Sequence, residues 1–311
     1  MKKILFLLFL GIILALVIVL GYNRQGKETD LDRQKVATTI FPLYDITKNI
    51  AGNNVEIVLL LPAGASPHSY EPSPETVKTL QGADTLFMIG HGIDNWSTSV
   101  AESAGVKNQV VVDEKIKLLP YTGANHSHDE KTGEEVAENN YSEQTDPHYW
   151  LSIENGKAIA AQIRDELSKL YPEHKESFEQ NYNEYEAVLA ALDQDNRSKL
   201  QAIENKRIAT FHNAFGYLAE EYDIEVVTTF EEFPGEEPSP EYVQEFIDHI
   251  EEDDIRVVFA EPQFSTTSLE PIAADLEISI SQLDPIGGVP DKDSFVSLMR
   301  YNVNQITQAL Q

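Results

Sequence analysis

Beyond position 35 the apolar residues follow two alternating patterns: short runs rich in β-branched residues, and stretches with apolar positions every three or four residues. Residues 36–40, 55–61, 85–89 and 110–112 read as strands, because Val, Ile, Leu and Thr dominate them. A helical stretch follows Pro42, and Ser73-Pro74 opens another, since Ser suits an N-cap and Pro suits the first turn. The second half repeats this logic. Strands are expected at 207–211, 224–230, 255–260 and 278–283, Ser239-Pro240 opens a helix, and a last helix covers 293–310. Between the halves, Phe178, Tyr182, Tyr185, Val188, Leu189 and Leu192 recur at helical spacing. They predict a single helix over 172–204, ~50 Å long at 1.5 Å per residue. Strands alternating with helices build parallel sheets covered by helices. The expected fold class is therefore α/β: two similar lobes, each a mainly parallel sheet flanked by helices, joined by one long rigid helix. The boundaries that follow are 1–34 for an N-terminal segment and tether, 35–171 for the first lobe, 172–204 for the linking helix and 205–311 for the second lobe.

Two stretches break the pattern. Lys2 and Lys3 precede an uncharged apolar run over residues 4–20, which would span ~26 Å as a helix, close to a hydrocarbon core. This is a signal peptide or a membrane anchor. Its length and the absence of an A-x-A cleavage site favour an uncleaved anchor over a segment removed on secretion. The lysines place the N-terminus inside and the remainder outside the membrane. Residues 122–146 hold Gly, Asn, Ser, Glu and Asp with little to pack, and read as a mobile acidic loop within the first lobe.

Composition narrows the chemistry. With 41% hydrophobic residues the chain can bury real cores. It has no cysteine, which removes disulfides, thiolate metal sites, thiol nucleophiles and lipid attachment through an N-terminal Cys. A formal net charge of −29 repels nucleic-acid phosphates, so no nucleic-acid partner is expected. Most of that charge serves solubility.

In open α/β sheets, ligand groups gather beyond the carboxyl ends of the strands. His68 follows the 55–61 strand in P-A-G-A-S-P-H-S-Y-E-P-S-P (62–74). His212 directly follows the 207–211 strand, Glu261 the 255–260 strand, and Asp284 the 278–283 strand. His148, in D-P-H-Y-W-L-S (146–152), lies between the acidic loop and a helix. A lone histidine is usually a surface or satisfied core residue. Three at one edge of two lobes, with Asp284, make a full tetrahedral set for Zn²⁺. Glu261 reads as the carboxylate behind a metal-bound imidazole, though a helix-capping or inter-loop role accounts for it nearly as well. His91, His174 and His249 lack a partner pattern and are given no role.

With these motifs the chain resembles the zinc- and manganese-specific solute-binding proteins of ABC importers, the cluster A-I group with zinc-uptake and TroA-like members. The resemblance runs from about Lys35 to Gln311. It is carried by P-A-G-A-S-P-H-S-Y-E-P-S-P, D-P-H-Y-W-L, F-H-N-A-F-G-Y (211–217), E-P-S-P (237–240) and F-A-E-P-Q-F-S (259–265), and by their order. It implies that metal is held between two α/β lobes, with the ligand positions falling on His68, His148, His212 and Asp284. Manganese members usually carry a carboxylate at the third position, where this chain has His212. Imidazole suits zinc better, so Zn²⁺ is the expected cargo and Mn²⁺ the alternative. The implied partners are an ABC permease and its ATPase, with the chain itself a monomer outside the cytoplasm.

Two departures bear on that reading. Tyr22 stands where a lipoprotein would need Cys, so the apolar segment replaces a lipid as the expected anchor. Zinc members often have a long His-rich loop before the second ligand, whereas this loop offers only His126 and His128. These two could bind zinc weakly and pass it inward, but a merely solvated loop is favoured. Two other classes compete: a surface adhesin stabilised by metal, and a zinc hydrolase with Glu261 as general base. Four protein ligands leave no place for a water nucleophile, and no H-E-x-x-H motif is present, so no enzyme is expected.

Overall fold

The β-rich runs pair into two four-stranded parallel sheets. The chain is described from a computed structural model that covers residues 34–121 and 145–311. The first sheet contains β1 (Lys35–Thr38), β2 (Glu56–Leu59), β3 (Thr85–Met88) and β4 (Gln109–Val111), in the order β2-β1-β3-β4. The second contains β5 (Arg207–Thr210), β6 (Glu225–Thr229), β7 (Val257–Ala260) and β8 (Ser279–Gln282), in the order β6-β5-β7-β8. Each order turns back on itself at its central pair, β1/β3 or β5/β7. Loops leaving those strands at their carboxyl ends diverge and open a crevice.

The helices are α1 (Phe41–Ala51), α2 (Pro74–Leu80), α3 (Trp96–Ala104), α4 (Ile153–Leu170), α5 (Lys175–Leu200), α6 (Gly216–Tyr222), α7 (Pro240–Glu252), α8 (Leu269–Asp275) and α9 (Phe295–Leu310). Both Ser-Pro pairs act as expected. Ser73 Oγ accepts the Thr76 N–H in a reciprocal capping box, and Ser239 Oγ accepts the Tyr242 N–H. The helix expected over 172–204 is shorter. Pro172–His174 forms a single 3₁₀ turn, and α5 has 26 residues, ~39 Å. Proline disfavours helical conformation in the residue before it, and Tyr171 leaves the helical region there with φ −131° and ψ 68°, so α4 cannot continue into α5. The sequence pattern missed α3, whose buried positions include the small residues Ser97 and Ala101 and so carry little periodicity.

α5 packs against α1, α4 and α9. One apolar cluster runs from Val36, Phe41 and Trp150 through Phe178 and Leu189 to Ile208, Leu283 and Phe295, so the two sheets share a core. Smaller clusters lie around Leu80, Leu86 and Val100 in the first lobe and around Phe211, Phe246 and Val258 in the second. Lobes usually move where their interface is small and polar; a continuous apolar seam opposes that. The N-terminal apolar segment, His126 and His128 lie outside the described residues, and among the described residues no helix is long and apolar enough to cross a membrane.

The seam closes around Phe295, which is fully buried at the start of α9. A Cβ on Gly156 of α4 would lie 2.7 Å from its ring. Gly156→Val is therefore expected to destabilise the protein by about 1–3 kcal/mol through overpacking, read as a lower midpoint in chemical denaturation.

Candidate metal centre

His212, Glu261 and Asp284 closely follow strand ends, whereas His68 and His148 are set by a loop and a 3₁₀ turn. His68 lies in the loop between β2 and α2. The loop is tied down by Tyr70, whose hydroxyl meets Thr76 Oγ1 at 2.9 Å and whose ring stands edge-on to Trp96 at 4.7 Å. His148 precedes the 3₁₀ turn Tyr149–Leu151. Asp146 Oδ1 accepts both the His148 backbone N–H at 2.9 Å and its Nδ1–H at 2.8 Å. His212 follows β5, and its Nδ1 meets Glu261 Oε1, from the end of β7, at 2.5 Å. β5 and β7 are the central pair of the second sheet, so His212 and Glu261 face each other across the point where the strand order turns.

The three rings converge. Their centroids are 5.2, 5.3 and 5.4 Å apart, and His68 Nε2 is 3.1 Å from His148 Nε2. One ligand nitrogen from each lies within 4.8 Å of the other two. Two nitrogens bound to one tetrahedral zinc would be ~3.3 Å apart, from Zn–N bonds of about 2.0–2.1 Å. A carboxylate accepting the Nδ1–H leaves Nε2 with its lone pair, the state in which imidazole binds metal. His212 Nε2 is buried without a hydrogen-bond partner among the described residues. A native fold rarely leaves such an atom unengaged, and a cation between the rings would engage it. The enclosed space beside the rings is about 10 Å³, room for one water-sized sphere. A much larger groove of about 650 Å³ runs along β6 and holds none of the three imidazoles. We place the chemistry in the smaller space, because an ion needs ligands rather than volume. An open vestibule of about 290 Å³, lined in part by Pro67, His91, Tyr121 and Phe233, reaches His68 and His148 from outside.

Electrostatics favour a neutral His68 ring. As a residue His68 is exposed, yet its ring faces the other two. Burial on that side, then the nearby His148 and His212, push its pKa from 6.5 down to about 2.

Asp284 stands apart from the imidazole group. It is buried at the end of β8, where Oδ1 accepts the Ile286 and Gly287 N–H groups and Gln263 Nε2, each at 3.0 Å. Oδ2 forms an ion pair of 2.8 Å with Lys292 Nζ. Burial alone would raise its pKa, but Lys292, Gly287, Gln263 and Ile286 together bring it below the usual value. Sequence reasoning missed Asp146, although the acid of D-P-H was in view, and missed Lys292, which no motif signals. It also passed over Glu231. Burial raises the Glu231 pKa to about 6, and its carboxylate accepts the Gly235 N–H at 2.7 Å beside Phe233 of the vestibule.

The model of the family described as zinc-uptake complex component A periplasmic (ZnuA) matches residues 36–309. The chain is 30% identical over 283 residues to the zinc-binding protein AdcA of Streptococcus pyogenes serotype M3, covering 88% of this chain and 55% of AdcA. It thus spans about half the length of that relative. It is 31% identical over 327 residues to the manganese ABC transporter substrate-binding lipoprotein PsaA of Streptococcus mitis, covering 100% of this chain and 99% of PsaA. A crystal structure of ZnuA superposes with a TM-score of 0.77 at 28% identity, covering 90% of this chain and 100% of that one. The family match takes in both sheets, the helix between them and all three converging imidazoles, and the chain belongs to the zinc-uptake complex component A family.

Proposed function

We propose that the chain is the extracytoplasmic solute-binding protein of an ABC importer, and that it captures Zn²⁺ between its lobes and presents it to a permease driven by its ATPase. The convergence of His68, His148 and His212 on one ion-sized space carries this reading. Family membership and the resemblance to AdcA agree with it. His68, His148 and His212 act as ligands, Asp284 is the fourth, and Glu261 and Asp146 hold two of the rings in the metal-binding tautomer. No step of bond breaking is required, and the chain is a carrier rather than an enzyme. Mn²⁺ is the alternative cargo, motivated by the resemblance to PsaA. Three imidazole donors favour zinc over the harder, oxygen-preferring ion.

The direct test is metal analysis of protein purified without chelators or a His-tag, followed by competition between Zn²⁺ and Mn²⁺. Stronger retention of Mn²⁺ than of Zn²⁺ would overturn the choice of cargo. His212→Ala is expected to weaken zinc binding by more than about 100-fold in chelator competition, beyond the 10–100-fold typical of losing an outer partner. Glu261→Gln keeps the shape but removes the charge behind His212, and should cost about 10–100-fold. Unchanged affinity in Glu261→Gln would leave that carboxylate a structural role only.

The depressed His68 pKa also sets a pH dependence for the metal-free protein. Its folded value, about 2, lies below the ordinary 6.5, so between these values the unfolded chain binds a proton that the folded chain refuses. Stability is then fully present above pH 6.5 and declines as pH falls towards 2. Thermal melts at several pH values should show this slope in the wild type and a shallower one in His68→Gln. Identical slopes would mean that His68 is protonated as readily folded as unfolded.

A further inference from the structure

We propose that Lys292 is a built-in competitor for the captured ion: it holds the Asp284 carboxylate, and a metal must take that carboxylate from it. This rests on the reading of Asp284 as the fourth ligand. The main chain of Asp284 is fixed, because its N–H is accepted by Asn302 Oδ1 at 2.9 Å and its carbonyl accepts Asn302 Nδ2 at 2.8 Å. Its Oδ1 is engaged twice within its own loop, by Ile286 and Gly287, and once by Gln263 from the loop after β7. Oδ2 is the oxygen paired with Lys292, so recruitment of Asp284 through Oδ2 requires Lys292 to let go.

Lys292 is itself held in place. It is 7% exposed, and its ammonium lies over the Tyr301 ring at 4.5 Å. Its backbone closes a tight turn, with Gly288 N–H donating to its carbonyl at 2.8 Å and its own N–H donating to Val289 O at 3.0 Å. The turn sits against the other lobe: a Cβ on Gly288 would lie 2.9 Å from the Phe41 ring, and the residue positive φ of 80° already demands glycine. Just upstream, Pro285 O accepts Trp150 Nε1 at 2.7 Å, and just downstream the Phe295 N–H donates to Asp45 Oδ2 at 2.8 Å. The segment that carries both Asp284 and Lys292 is therefore the one that crosses the seam. A buried ion pair contributes little net stability, since desolvating both charges offsets their attraction. As a competitor it does something else. It keeps Asp284 ionised and in place before the ion arrives, lowers affinity enough for release, and leaves a displaced ammonium at the seam once the ion is bound. Because coupling is reciprocal, anything that draws Lys292 back to Asp284 favours release of the ion.

The test is a double-mutant cycle in the full chain, with zinc affinity read by chelator competition and zinc dissociation by stopped flow. Lys292→Met keeps an unbranched side chain only one atom shorter and removes the charge. It should tighten zinc binding and slow dissociation by roughly 5–150-fold, the usual span of a coupling between sites. In an Asp284→Asn background the same substitution should change neither. Unchanged or weaker binding in a folded Lys292→Met protein overturns the proposal. So does an equal gain in the Asn background, which would mean a general charge effect rather than competition for one carboxylate. If Lys292→Met does not fold, Lys292→Arg is the second probe. Its guanidinium can grip a carboxylate through two N–H donors and should weaken zinc binding, and tighter or unchanged binding counts against the proposal. Failure of the metal-site reading shows separately, as wild-type protein without zinc or His212→Ala without loss.

Discussion

Three imidazoles converging on a space of about 10 Å³ are the constraint on which the rest of this molecule depends. Left alone, such an arrangement is poor chemistry. One pair of nitrogens can share a proton at 3.1 Å, but His212 Nε2 is buried with nothing among the described residues to bond. Leaving a polar group unsatisfied in this way costs about 1–3 kcal/mol, so something must hold the rings there. Asp146 and Glu261 hold two of them from behind. The His68 loop is fixed through Tyr70.

Those supports work only if the lobes keep their distance. His68 comes from the first lobe, His212 from the second and His148 from the segment that leads into α4, so a wide movement between lobes would pull the cluster apart. The shared core supplies the rigidity. Phe178 and Leu189 of α5 lie in the same apolar cluster as residues of both sheets, and Trp150 couples the segment after His148 to the loop after Asp284. A site across such a seam can tighten or loosen through side chains and loops without opening the seam itself. The Asp284–Lys292 pair is a change of that size.

The strands, the Ser-Pro helix starts and all three histidines were legible in the sequence because each rests on local chemistry. Parallel strands buried on both faces show as apolar runs, and Ser73 and Ser239 cap their helices within three residues. His68, His212, Glu261 and Asp284 emerged because strand ends point into one crevice, and His148 joined them from outside that rule through its D-P-H motif. What was not legible depends on long-range packing or charge. α3 is too rich in small residues to show a stripe, so only its packing against the first sheet's core reveals it. The pairing of Asp284 with Lys292 spans only eight positions, yet Lys292 reads as an ordinary surface lysine, because nothing local says that the turn folds back onto the carboxylate.

The charges around the site have a further logic. Asp146, Glu261 and Asp284 each touch a member of the site, and Lys292 is the cation paired within it. The acids outnumber the ammonium, and Glu231, whose pKa burial raises to about 6, adds a further carboxyl group within electrostatic range of His212 and Glu261. Buried negative charge in excess is costly, and an arriving cation offsets it. In the proposed reading the imidazoles would select for soft or borderline metals, while the surrounding carboxylates would favour cations of any kind. The two filters act on different atoms, so discrimination need not rest on ligand geometry alone.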